Sequence, residues 1–185
     1  MIKKITIEVI PHLEQRYNTV GDWQFERSPE GEPTALNIKV SDLDDQAYFI
    51  LIGLHEAIEA LLCEKRGVKE SEVDQFDLNW KPSRVHWSSD TVPNEPGEDY
   101  YSPYYQEHQI ATGIERLLAA RMFTNWARYE ALVDELIKDS EVYFAQKALG
   151  EVVEEPKEEI TPILSEQVPI IDPSKSDDFD DDIPF

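Results

Sequence analysis

His55, Glu56 and Glu59 stand in the middle of an apolar run, AYFILIGLHEAIEALLCEKR, residues 47–66. Apolar residues fall on nearly every side of a helix drawn over this run, so its central turns are expected to be buried. Charges buried there must be paired, neutralised or bound to metal. His55 and Glu59 lie one helical turn apart on one face, and Glu56 sits about 100° further round. A second helical stretch carries Glu107, His108 and Glu115, and its last two members share a side that borders an apolar face. His55, Glu59, His108 and Glu115 are ligand types suited to zinc, manganese or iron. Glu56 is then a candidate base for a metal-bound water, whose pKa the ion lowers. The same residues also suit a His–Glu hydrogen-bond network that ties two helices together without metal, since buried polar side chains usually find such partners. The sequence leaves both readings open.

The elements that must position these groups follow from periodicity and turn chemistry. Residues 4–10 alternate, with Ile5, Ile7 and Val9 on one face, which predicts a half-buried strand ended by Pro11. Trp23–Arg27 is a second strand candidate, SPEGEP at 28–33 is a turn, and Ala35–Val40 alternates again. Three strands joined by tight turns predict a small antiparallel β-meander. Ser41-x-x-Asp44 resembles a capping box that opens the central helix, and Gly67 after Lys65-Arg66 closes it. Residues 69–77 allow a short further helix. Ser102-Pro103 starts a second main helix, Pro103 to Met122, and Asn125 precedes a third that runs to about Leu149. The fold class expected is α+β, a small sheet followed by three main helices. Residues 78–102 form a long connection rich in Pro, Trp and Tyr, which suits a lid or wall over a site, or an irregular cover for one core face. His12 and His86 fall in weakly patterned segments and read as surface or structural.

Composition narrows the functional classes. The chain has 185 residues, 17 basic and 39 acidic, for a net charge of −22. Residues 151–185 hold 12 acidic and 2 basic residues, leaving 27 against 15 in residues 1–150, so the body is itself acidic. Such a surface repels phosphate backbones and argues against direct nucleic-acid binding. The one cysteine, Cys63, rules out an intrachain disulfide framework and fits a reducing compartment. No signal peptide and no uninterrupted apolar span are recognisable, so a soluble protein of the bacterial host cytoplasm, without membrane attachment, is expected.

Composition also divides the chain into a body, 1–150, a flexible acidic Pro-containing linker, 151–176, and a tip, 177–185. The tip, DDFDDDIPF, has features that suit docking. Phe185 offers a ring for a pocket and a carboxylate for an arginine, Pro184 lowers the entropy of ordering, and Ile183 adds apolar surface. Asp178, Asp180, Asp181 and Asp182 flank Phe179 and Ile183 with charge that a basic rim would attract.

Three resemblances add to this reading. A small sheet followed by a helix with His-Glu-x-x-Glu (His55, Glu56, Glu59) resembles a compact zincin metalloprotease. Zincins use His-Glu-x-x-His, where two imidazoles bind zinc and the Glu is the general base. Here Glu59 holds the second position, and His108 would have to supply the missing imidazole. LHEAIEALLCEKRGV (54–68), SPYYQEHQIAT (102–112) and IERLLAA (114–120) resemble uncharacterised bacteriophage and prophage proteins, which bring no activity with them. DDFDDDIPF is similar to the C-terminal tip of bacterial single-stranded DNA-binding proteins. That resemblance implies partners that read the tip: nucleases, helicases, and replication or recombination factors. The function expected is a phage or prophage accessory protein of DNA replication, recombination or repair that docks through residues 178–185 and carries a candidate metal site. The alternatives are a metal-dependent hydrolase of peptide or phosphoester bonds localised by the tail, and a divergent single-stranded DNA-binding protein. The last would need an OB barrel of about five strands with a basic groove.

Overall fold

A computed structural model describes residues 1–81, 93 and 95–150. The chain divides into two units, Met1–Val153 and Glu154–Phe185. The linker and tip expected at 151–185, and residues 82–92 and 94 of the expected lid, including His86, lie outside the described residues.

The fold is α+β, as the periodicity predicts. Three strands, β1 (Lys4–Ile10), β2 (Gly21–Arg27) and β3 (Pro33–Ser41), precede four helices, α1 (Gln46–Arg66), α2 (Glu70–Asn79), α3 (Tyr105–Arg121) and α4 (Trp126–Ala148). The expected antiparallel meander is corrected in its topology. The strand order is β1-β3-β2, with β1 parallel to β3 and β2 antiparallel to it. Alternation of apolar residues fixes which face of a strand is buried but not which neighbour it takes. A parallel pair needs a long crossover, and residues 11–32, which contain the whole of β2, supply it.

Side chains on one face line up in rows across the sheet. Ile5, Leu36 and Phe25 form one row, and Ile7, Ile38 and Trp23 form the next. On central β3, Leu36, Ile38 and Val40 are almost wholly buried. Helix α1 lies over this face, with Gly53 against Ile7, where an added Cβ would come within 2.8 Å of the Ile7 side chain. It is the one described helix long and apolar enough to cross a membrane, and here its faces pack on the sheet and on α3.

The caps of α1 differ from expectation at one end. Asp45, not Ser41, is the N-cap, and its side chain accepts from the Ala47 amide, while Asp44 takes a left-handed φ of 55°. Gly67, at φ 83°, closes the helix as expected. Helix α3 begins later than Ser102-Pro103 suggests, after Tyr104. Helix α4 starts where predicted, with Asn125 accepting from the Arg128 amide. His12 is structural. Its two ring nitrogens lie 2.8 Å from Ser41 Oγ and 2.8 Å from Ser140 Oγ, which pins α4 to the end of the sheet.

Candidate metal centre

Helices α1 and α3 run antiparallel: His55 meets Glu115, Glu59 meets His108, and Arg66 pairs with Glu107 at 2.8 Å. This arrangement brings all four predicted ligands to one place, and each is buried. His55 Nε2 lies 3.2 Å from His108 Nδ1, His108 Nδ1 lies 3.0 Å from Glu59 Oε2, and His55 Nε2 lies 3.5 Å from Glu59 Oε2. Three donor atoms therefore form a nearly equilateral triangle. A tetrahedral zinc with bonds of about 2.0–2.1 Å separates its ligand atoms by about 3.3–3.4 Å, so a buried His55–Glu59–His108 group of this shape could hold a metal ion.

Glu115 stands behind the triangle. Its Oε2 lies 2.8 Å from His55 Nδ1, and Tyr129 donates to its Oε1 at 2.5 Å. The sequence reading makes Glu115 a direct ligand; the structure puts it on the far nitrogen of a ligand ring, where carboxylates orient metal-bound histidines. Glu95 does the same for His108, with Oε1 3.0 Å from Nε2. Trp23 Nε1 donates to Glu59 Oε1 at 3.0 Å, so the oxygen of Glu59 that is not in the triangle is also held. Sequence reasoning missed Glu95, Trp23 and Tyr129. Glu95 sits in the connection before α3 with no periodicity to mark it, and Trp23 and Tyr129 carry ordinary core signals.

Two glycines admit this packing. A Cβ on Gly97 would strike the His108 ring, so the 3₁₀ turn Pro96–Glu98 closes over His108 only because position 97 is bare. A Cβ on Gly21 would strike the Glu56 carboxylate. Glu56, the predicted base, lies against Gly21 of β2, feels the charges of Glu59, His55 and His108, and is not one of the three triangle donors. It is half-buried and has no hydrogen-bond partner among the described residues.

The electrostatics call for positive charge. Burial alone would lower the pKa of His55, but hydrogen bonds to Glu115 and Glu59 outweigh it and hold the ring well above its ordinary value. Burial is likewise outweighed at His108, where Glu59 and Glu95 raise the ring to about 10. Burial raises Glu59, yet the two histidines bring it down to about 2. Burial, then the Glu59 charge, pushes Glu56 well above the usual carboxylate range. Compared with protein-family models, curated proteins and solved structures, the chain matches none of them.

Proposed function

We propose that this protein is a metal-dependent hydrolase whose ion is held by His55, Glu59 and His108, with Glu56 as general base. One observation carries the reading, the convergence of three buried ligand atoms on one point. Glu115 and Glu95 accept from the far nitrogens of the two rings, so that an ion displacing the inner protons would meet a bare nitrogen from each ring. Both inner nitrogens face Glu59 Oε2. A proton can serve two of these atoms, whereas a divalent ion serves all three. Without an ion the two rings share protons with Glu59, whose charge helps to hold both above their ordinary pKa.

Two imidazoles and one carboxylate leave coordination positions open, as in catalytic rather than structural sites. Zinc, manganese or iron is compatible with this donor set. When bound, such an ion supplies Lewis acidity and brings a water to near-neutral pKa, roughly 7 for zinc. The chain's own residues do the rest. Trp23, Glu95 and Glu115 fix the ligand orientations, and Glu56, ionised once the ion is bound, would take a proton from the attacking water and give it to the leaving group. Elemental analysis of the full chain is expected to find stoichiometric metal. Hydrolysis of casein or of bis(p-nitrophenyl) phosphate is expected to vanish in Glu56→Gln with the metal retained. Folded protein that is metal-free and indifferent to added zinc, manganese and iron would overturn the reading.

A second reading concerns delivery and rests on the sequence of the tail. The likeness of DDFDDDIPF to the tip of bacterial single-stranded DNA-binding proteins supports docking onto nucleases, helicases or recombination factors that read such tips. Deletion of Asp177–Phe185 is expected to abolish capture of such a partner; undiminished capture would reject this role.

A further inference from the structure

The sheet has two edges, and they are finished differently. At the β2 edge, the Phe25 amide donates to Glu70 Oε2 of α2 at 3.1 Å, so a helix covers that side. Strand β1 has β3 as its one strand partner among the described residues, and no further strand takes its outer edge. Its apolar face is left open: Ile5 is 48% and Val9 42% exposed. The flank of α1 above this edge continues the surface. On α1, Glu56 and Glu59 turn toward β2, Gly53 sits on Ile7 of β1, and His55 faces α3. Helical spacing therefore turns Ile50, Leu54 and Leu61 outward over the free edge, where Ile50 and Leu54 are half-buried and Leu61 is exposed.

We propose that a second copy of this chain pairs along β1, antiparallel, with the two-fold axis at Thr6, making a continuous six-stranded sheet. The sequence of the strand selects this partner. About Thr6, Lys4-Ile5-Thr6-Ile7-Glu8 is its own complement: Lys4 meets Glu8 of the second copy and Glu8 meets Lys4. On the helix face Ile5 meets Ile7 and Ile7 meets Ile5, so face and register agree. A charged residue on an edge strand commonly guards against pairing. Here the two charges are opposite and symmetric, so two copies attract. Lys4 and Glu8 are both exposed, and neither makes an ion pair among the described residues. An isologous contact of this kind closes on itself and leaves the β2 edges as the ends of the larger sheet.

Sedimentation velocity and native mass spectrometry of the full chain across a micromolar concentration series test the proposal. A reversible dimer is expected. Lys4→Glu sets two carboxylates opposite each other across the axis, and Glu8→Lys sets two ammonium groups opposite each other. Each variant alone should therefore dissociate at least about tenfold more readily. An equimolar mixture of the two restores attraction between unlike chains and should recover the dimer as a heterodimer. Circular dichroism checks that each variant is folded; the substitutions are at exposed positions. A monomer at all concentrations, or a dimer indifferent to both substitutions and to mixing, would overturn the proposal.

Discussion

His55 Nε2 and His108 Nδ1 face each other at 3.2 Å while the opposite nitrogen of each ring meets a carboxylate, Glu115 for His55 and Glu95 for His108. The two rings are thus oriented from outside toward a shared point that Glu59 completes. In the proposed metal site, affinity rests on that orientation.

If Glu115 and Glu95 orient the ligand rings, removing their charge should weaken metal binding without unfolding the protein. Glu115→Gln and Glu95→Gln are each expected to lower metal affinity by about 10- to 100-fold. Competition against a coloured chelator measures this. Glu95 offers the cleaner case, because its side chain is 45% exposed and its replacement disturbs little packing.

Glu56 should separate from the ligands in its effect. Glu56→Gln is expected to keep the metal and lose roughly 100- to 10,000-fold in turnover, whereas His108→Ala should lose both. Parallel metal analysis and rate measurement on each variant distinguish the two patterns. Equal loss of metal in Glu56→Gln would make that residue a ligand instead.

The closure over His108 depends on a missing side chain. Gly97→Ala would drive a Cβ into the imidazole, with an expected loss of about 1–3 kcal/mol in stability, as for overpacking elsewhere. Metal affinity should fall with it. Denaturant unfolding of the variant, with and without added metal, reads both effects.

Much of this centre is legible from residue types alone. His55 and Glu59 on one face of an apolar helix, and His108 and Glu115 on another, are unusual enough to predict a meeting, and the helices do bring them together. What fails to show is anything set by long-range pairing. The alternation in Ile5–Val9 and Leu36–Val40 is equally good for parallel and antiparallel neighbours, so it does not reveal the parallel β1–β3 pair. Glu95 lies in an aperiodic segment, and nothing local ties it to a ring 13 positions later. Trp23 reads as a strand residue, and its indole N–H finds a use only where β2 lies beside α1.

Asp77 gives the fold a pH dependence of its own. Burial pushes its carboxyl up to about 7, against hydrogen bonds from Tyr104 and Tyr17, with Glu59 and Asp74 adding repulsion. The folded state therefore holds a proton that the unfolded state, near the ordinary carboxylate value of about 3.9, releases. Stability from this group is fully present below about pH 4 and is lost as pH rises to about 7. Asp77→Asn should flatten that slope, so the variant gains on the parent protein between pH 5 and pH 8, on a scale of roughly 1 kcal/mol or more. Thermal unfolding at both pH values decides it.

X-ray absorption at the metal edge tests the central claim most directly, using the full chain and a His55→Ala, His108→Ala double variant. The expected spectrum of the full chain has nitrogen and oxygen neighbours at about 2.0–2.1 Å, with the outer-shell signature of two imidazoles, and the double variant has no bound metal to measure. A sulfur neighbour would place the ion at Cys63. Retention of metal by the double variant, or a full chain that binds none, would contradict the centre described by His55, Glu59 and His108.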